Sequence, residues 1–355
     1  MPPSDFLYNG RATRVVFGSG SLVHLERELL ALGAQRALIL CSPEQRALGA
    51  SVAETLGNRS AGVFDRAAMH VPLELAVEAR TVATSLGADC IVAAGGGSAI
   101  GLAKAIALES SLPILAVPTT YAGSEMTPIY GLTDAGLKRT GTDLRVLPKT
   151  VIYDPDLTLT LPVGMSVTSG INAIAHAAEG LYSRDANPLT SLMAEEGIAA
   201  LARSLPHIVA NPNDISARAD ALYGSWLCGA VLGSVGMALH HKLCHTLGGS
   251  FDLPHAPTHT IVLPHALAYN AEAAPEAMKR VARALGHESA AQGLFELARA
   301  NGAPIALRDL GMREDQLDQA ADLACSNAYW NPRPLERDAI RALLQRAFEG
   351  SAPKP

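Results

Sequence analysis

The chain has 355 residues, 48% hydrophobic and 17% charged. That is too apolar for a disordered protein and suits two domain cores, at roughly 150 residues per domain. The formal net charge of -6 excludes a binder that works by neutralising nucleic-acid phosphates. Five scattered cysteines (Cys41, Cys90, Cys228, Cys244, Cys325) form no CxxC pair, which excludes a disulfide framework or zinc knuckle and points to reduced thiols in a cytoplasm.

Residues 1–6 show neither a basic nor an apolar leader region, so no targeting segment is expected there. Short β-rich runs then alternate with helical stretches. Strands are predicted at 13–16, 37–40, 62–64, 90–94 and 113–117, with helices beginning near Leu22 and over 44–56, 74–86 and 99–108. Such alternation predicts a doubly wound, mostly parallel, Rossmann-like sheet with helices on both faces. The pattern stops near Pro155 and Pro162. From Ser166 onward the period is helical and Ala/Leu-rich, with Pro188, Pro206, Pro212, Pro254, Pro264, Pro275, Pro304 and Pro332 marking breaks between helices. The expected organisation is an α/β domain over 1–160 and an all-α domain over 161–355, with a frayed tail from Ser351. Residues 221–239 carry no formal charge but are rich in Gly and Ser, which suits a tightly packed buried helix better than a membrane span.

Gly95, Gly96, Gly97 and Ser98 follow the apolar strand and open a helix. Glycines admit a phosphate close to the backbone, and the helix start offers free N–H groups and partial positive charge. The spacing is not the usual dinucleotide fingerprint, being one residue longer and later in the chain. Thr119, Thr120, Tyr121 and Ser124 follow the next strand, where a doubly wound sheet places ligand contacts. Ser42 stands where an acidic residue would normally bind the ribose and repel a 2′-phosphate, and Arg46 is near. NADPH is therefore expected to be accepted along with NADH. Lys149 is also assigned to the cofactor-binding set.

Six of the eleven histidines lie between His240 and His265. His241 and His245 are i, i+4 on the helix that the glycine-rich stretch enters, and His255 follows a Gly248-Gly249 break and Pro254. Asn172 and His176 form another i, i+4 pair. Three imidazoles and a fourth group on separate helices are how a helical domain builds a metal site, but Asn172 is a neutral amide and weakens the grip on a divalent ion. His259 and His265 are assigned to the core.

At these residues the chain resembles the iron-containing alcohol dehydrogenase superfamily, with its dehydroquinate synthase-like fold, over nearly the full length. The resemblance maps the pyrophosphate motif onto Gly95, Gly96, Gly97 and Ser98. It maps an Asp-and-three-His metal set onto Asn172, His176, His241 and His255. His245 matches a further histidine of the nicotinamide site, and Asn331-Pro332-Arg333 a late motif. Three departures (Asn172 for Asp, Gly101 for an acidic residue, and a shortened loop at Pro118-Thr119-Thr120-Tyr121) look like the maleylacetate reductase branch. So do His70-Val71-Pro72 and the run from Leu239 to His245. That likeness implies reduction of maleylacetate to 3-oxoadipate in aromatic-compound degradation, with NADH or NADPH and no required metal.

The implied chemistry asks for a hydride donor near an electrophilic carbon, and for donors to the oxygen that gains charge. His176, His241, His245 and His255, partly as imidazolium, are expected to supply them, because a dicarboxylate raises neighbouring histidine pKa values. Lys242 and Arg333 are candidates for carboxylate recognition, against a solvated lysine and an interdomain salt bridge. Tyr121 is a candidate substrate contact, against simple packing. The expected partner is a small dicarboxylate, with no nucleic acid and no membrane, in a cytoplasmic homodimer. Rival readings are a metal-dependent alcohol or polyol dehydrogenase of the same superfamily, a lyase using NAD transiently, and a nucleotide-binding protein without turnover.

Overall fold

Four apolar residues in a row, such as Ala37-Leu38-Ile39-Leu40, cannot alternate between core and water, so both faces of their strand must be covered. The computed structural model shows this arrangement. It describes residues 6, 8, 10, 13–134, 137–326 and 329–354, and most of the opening segment read for a targeting signal lies outside them. The described residues divide into two compact units, one of residues 10–161 and one of residues 162–354 together with Phe6 and Tyr8, so the opening segment expected in the α/β domain goes with the helical unit.

In the first unit, strands β1 (Arg14–Phe17), β2 (Ala37–Leu40), β3 (Ser60–Phe64), β4 (Cys90–Gly95), β5 (Ile114–Pro118) and β8 (Thr150–Tyr153) form one six-stranded sheet. The order is β1-β8-β5-β4-β2-β3, and every neighbouring pair is parallel. Leu38, Leu40, Ile91 and Ala93 join one core with α3 (Leu73–Ser85) and α4 (Gly97–Ser110). The alternate residues Ile39, Val92 and Ala94 join a second with α1 (Leu25–Ala31) and α2 (Arg46–Leu56). The period of two thus feeds two helix layers, as a doubly wound sheet requires. The connection after β2 runs outward to β3, while that after β4 runs the other way to β5. The carboxyl ends of β2 and β4 therefore flank the point where strand order reverses.

The sequence reading omitted β8 and an antiparallel pair, β6 (Ile129–Asp134) with β7 (Leu137–Thr142). The start predicted as helix at Leu22 is a 3-10 turn, Ser21–His24, leading into α1.

The second unit is helical: α5 (Val163–Tyr182), α6 (Pro188–Ala210), α7 (Ile215–Leu232), α8 (Leu239–Phe251), α9 (His255–Asn270), α10 (Pro275–Leu285), α11 (Ala290–Ala300), α12 (Leu317–Cys325) and α13 (Arg337–Glu349). Three expectations are corrected here. Pro206 and Pro264 lie inside α6 and α9 rather than between helices, because the surrounding packing outweighs one lost hydrogen bond each. Gly248-Gly249 lies within α8 and breaks nothing. The glycine-rich stretch is not one helix into the histidines: α7 ends at Leu232, and α8 starts afresh at Leu239. Its glycines serve close packing, since a Cβ on Gly224 would meet the Gly197 carbonyl oxygen of α6 at 2.9 Å. Among the described residues no helix is long and apolar enough to cross a membrane.

His265, assigned to the core by sequence, is buried in α9, and neither ring nitrogen has a hydrogen-bond partner among the described residues. Burial, with the Arg346 guanidinium nearby, pushes its pKa down to about 4. The unfolded chain therefore binds a proton that the fold refuses between about pH 6.5 and 4, and stability falls as pH drops through that window. His265→Leu is expected to stabilise the fold by about 1–3 kcal/mol at pH 7. Its advantage should widen by up to about 3 kcal/mol toward pH 4, as read by urea unfolding at both pH values.

Candidate active site

The cofactor half is built at the carboxyl edge of the parallel sheet. Gly95 ends β4 with φ of 149°, a backbone state that favours glycine. A Cβ there would run into Gln45 Oε1, and one on Gly96 would meet Thr120 Cγ2 at 2.8 Å, while Gly97 faces open space. α4 begins at Gly97 with no side chain capping it. Uncapped N–H groups beside a Cβ-free cradle fit a pyrophosphate. Ser42 follows β2, Ser98 opens the first turn of α4, and Thr119 and Thr120 follow β5, so the structure brings these to one edge. Gln45 donates Nε2–H to Thr119 Oγ1 at 2.6 Å, tying the β2 and β5 loops across Gly95.

Lys149 is a correction. It immediately precedes β8, and its N–H donates to the Ile114 carbonyl at the amino edge of the sheet. The glycine turn is at the other edge, a strand length away, beyond a lysine side chain. Arg46 is paired with Asp65, just past β3, so an acidic residue does stand beside the arginine expected to help a 2′-phosphate, with its charge offset. Gly101 packs where a Cβ would meet Val71 Cγ2 at 2.8 Å, which leaves no room for the acidic side chain of the superfamily pattern.

Ser124 is held by a residue that sequence reading passed over. Buried Lys104 of α4 donates Nζ–H to Ser124 O at 2.6 Å, Ile129 O at 2.7 Å, Thr127 Oγ1 at 2.9 Å and Ser124 Oγ at 3.2 Å. Burial pushes its pKa down to about 7, partly offset by Glu125. Glu125 is itself buried, accepts from Tyr153 OH at 2.8 Å, and is raised by burial. Lys104→Met should strand these acceptors and loosen the loop after β5. The expected cost is about 2–4 kcal/mol in thermal unfolding, with a higher KM for the nicotinamide cofactor. An unchanged melting temperature would count against the anchor.

The second unit carries the histidines. α5 aligns Asn172, His176 and Glu179 at i, i+4 and i+7, α8 presents His240, His241 and His245, and α9 presents His255 and His259. Ring centroids of His176 and His241 lie 5.1 Å apart, and those of His241 and His245 6.1 Å. His259, expected to be a bystander, stands at the centre: its ring lies 4.2 Å from His255, 4.8 Å from His240, 5.1 Å from His241 and 6.5 Å from His245. His176, His240, His241 and His259 are buried, while His245 and His255 are exposed, so the cluster opens to solvent at one end.

Burial first, and then the neighbouring imidazoles, hold the pKa values of His176, His241 and His259 well below the usual histidine range, and that of His240 at about 3. These rings are neutral at pH 7. His241 Nδ1 lies 2.7 Å from buried Glu179 Oε2, and His240 Nε2 lies 3.0 Å from the His259 carbonyl oxygen. Asn172 Oδ1, His176 Nδ1, His241 Nε2 and both His259 ring nitrogens have no hydrogen-bond partner among the described residues.

These are the donors a metal ion would take. Neutral imidazole nitrogens and an amide oxygen, buried and unpartnered, fit a borderline divalent ion in kind. One nitrogen from each of His240, His241 and His259 lies within 4.8 Å of the others. What the set lacks is an anionic ligand, since Glu179, the carboxylate that touches His241, is engaged with that ring and the start of α8.

The candidate substrate residues are placed less favourably. Tyr121 is 0% exposed, against the expected substrate contact: its ring offers no open face to a ligand. Arg333 lies over the Tyr269 ring at 4.2 Å, donates to the Tyr269 carbonyl at 3.2 Å and pairs with Glu336 at 3.7 Å, all within its own unit. Lys242 Nζ is 5.7 Å from the Tyr329 ring centroid. Asn331 exchanges hydrogen bonds with Asn270 at 3.0 and 2.7 Å, so the late Asn-Pro-Arg motif fastens the end of α9.

Comparison with known proteins agrees with this geometry. Residues 12–155 match the family described as "Iron-containing alcohol dehydrogenase", and residues 166–348 match "Fe-containing alcohol dehydrogenase family, C-terminal". The chain is 64% identical over 348 residues to a maleylacetate reductase of Burkholderia cepacia, covering 98% of this chain and 99% of that one. It is 58% identical over 349 residues to a maleylacetate reductase of Pseudomonas knackmussii, covering 98% and 99%. The crystal structure of maleylacetate reductase from Agrobacterium tumefaciens superposes with a TM-score of 0.96 at 52% identity, covering 99% and 100%. The chain belongs to the iron-containing alcohol dehydrogenase family, on the branch of its maleylacetate reductases, and is an oxidoreductase of that type.

Proposed function

We propose that the chain reduces maleylacetate to 3-oxoadipate in aromatic-compound degradation, with NADH or NADPH and without a required metal ion. The observation that carries the substrate is the 64% identity to a maleylacetate reductase along 98% of this chain. The neutral Asn172 supports metal independence, because the mapped ligand set then has no negative charge to repay a divalent ion's desolvation. Scattered free cysteines support a cytoplasmic setting.

A bound NADH or NADPH supplies the hydride. Gly95, Gly96 and the uncapped start of α4 hold its pyrophosphate, and the Lys104-anchored loop presents Ser124. The substrate is a ketone conjugated to a C=C bond. A hydride accepted at the alkene carbon far from the ketone sends the electron pair to the ketone oxygen, and one proton must reach the other alkene carbon. The histidines serve those two demands. Burial keeps the His176 and His241 rings neutral in the free protein, and an incoming dianion raises their pKa values so that they donate as imidazolium. Exposed His245 and His255 carry the proton from solvent inward toward His241 and His259. Were an ion bound, Asn172, His176, His241 and His255 or His259 would hold it, and it would polarise an oxygen as a Lewis acid.

The test is NADH oxidation at 340 nm with maleylacetate, with and without EDTA. Sustained turnover in chelator is expected, and loss restored by added iron or zinc would favour a metal-dependent dehydrogenase. Because Asp65 is paired with Arg46, NADPH is expected to serve within a hundredfold of NADH in kcat/KM, a ratio the same assay measures.

A further inference from the structure

We propose that Glu179 is the positioning residue of the histidine site: it fixes His241 as the Nδ1-protonated tautomer, so that Nε2 is the atom offered to the reaction. The step this serves rests on the reductase reading above, whereas the tautomer does not.

Glu179 is 0% exposed on α5. Its Oε1 accepts from the His240 N–H at 2.8 Å and the Tyr182 hydroxyl at 3.1 Å. Its Oε2 accepts from the Ala238 N–H at 3.0 Å and the His241 N–H at 3.4 Å, and lies 2.7 Å from His241 Nδ1. The four other partners are obligate or available donors, so both oxygens are acceptors and Nδ1 must carry the hydrogen. The opposite tautomer would set a ring lone pair against a carboxylate lone pair at 2.7 Å.

The neighbouring contacts agree. His240 donates Nε2–H to the His259 carbonyl, which leaves His240 Nδ1 as a lone pair 3.4 Å from His241 Nδ1. His241 Nε2, by contrast, is buried without a hydrogen-bond partner among the described residues. α8 also has no side-chain cap of its own, and Glu179 takes that part from another helix, with its charge at the positive end of the helix dipole. One carboxylate thus locks the start of α8 and the ring that α8 carries. An Nδ1–H held in this way leaves Nε2 free to bind an ion as a lone pair, or to deliver a proton once the ring is charged.

The experiment uses the full-length protein labelled with 15N histidine, without substrate. Long-range 1H–15N spectra are recorded, with His241 assigned by its loss in His241→Gln. The expected wild-type result is an Nδ1-protonated His241. In Glu179→Gln, whose amide can accept or donate, the tautomers should mix. kcat should fall about tenfold to a hundredfold, with the KM for NADH unchanged. Glu179→Ala removes the cap of α8 and can unfold it, so the wild-type spectrum is the primary reading. An Nε2-protonated His241 in the wild type overturns the proposal. So does a Glu179→Gln variant that loses kcat with its tautomer unchanged, which would make Glu179 only a helix cap. If the wild type fails to reduce maleylacetate while His241 is Nδ1-protonated, the reductase reading fails and the positioning role stands.

Discussion

Replacing His241 by Ala is expected to lower kcat for maleylacetate reduction at least about a hundredfold, the scale of a lost proton donor or oxyanion partner. His241 also meets Glu179, so its removal loosens the fold as well. The carboxylate keeps its other four donors, which limits the stability cost to about 1–3 kcal/mol. His245→Ala separates the two effects. That residue is exposed, so its truncation should change stability by less than about 0.5 kcal/mol while kcat still falls about a hundredfold. Steady-state rates and thermal unfolding of both variants decide the matter. Near-normal turnover in both would remove the imidazoles from the chemistry.

Asn172→Asp should convert the site toward a metal centre. Asn172 is 3% exposed and its Oδ1 has no hydrogen-bond partner among the described residues. A carboxylate there would add a formal charge among neutral ligands. Even at an effective dielectric constant of about 20, a contact charge pair is worth about 4 kcal/mol, so divalent-ion affinity should rise at least about a hundredfold. The same charge would repel a dianionic substrate, so in EDTA the variant should show a raised KM and slower turnover. Elemental analysis of protein purified without added metal, with chelator competition, measures the first effect, and EDTA kinetics measure the second. Wild-type protein that carries a stoichiometric ion and dies in EDTA would end the metal-independent reading.

The parallel strands were legible because a fully buried strand must be apolar on both faces. Ala37–Leu40 and Cys90–Gly95 show that directly. The β6–β7 pair was not, since its strands mix Tyr, Gly, Thr and Asp with few apolar positions and are half-exposed along β6. Asn172 with His176, and His241 with His245, were visible as i, i+4 pairs. His259 was not, because in its helix it reads as one more residue of a buried stripe. Glu179 looked like an ordinary acidic residue in an alanine-rich helix, and Lys104 like a polar position on α4. Spacing carries no signal that either is buried or what it holds.

What the chain order alone determined is whatever depends on neighbours within a few residues: the type of most elements, the glycine turn that opens α4, the neutral amide at position 172, and the faces on which the paired histidines stand. Only the tertiary structure decided which groups meet. Glu179 reaches His240 across 61 residues, and Gln45 reaches Thr119 across 74. Those hydrogen bonds gain strength from burial, and burial is a property of the packed helices and sheet rather than of any local run of residues.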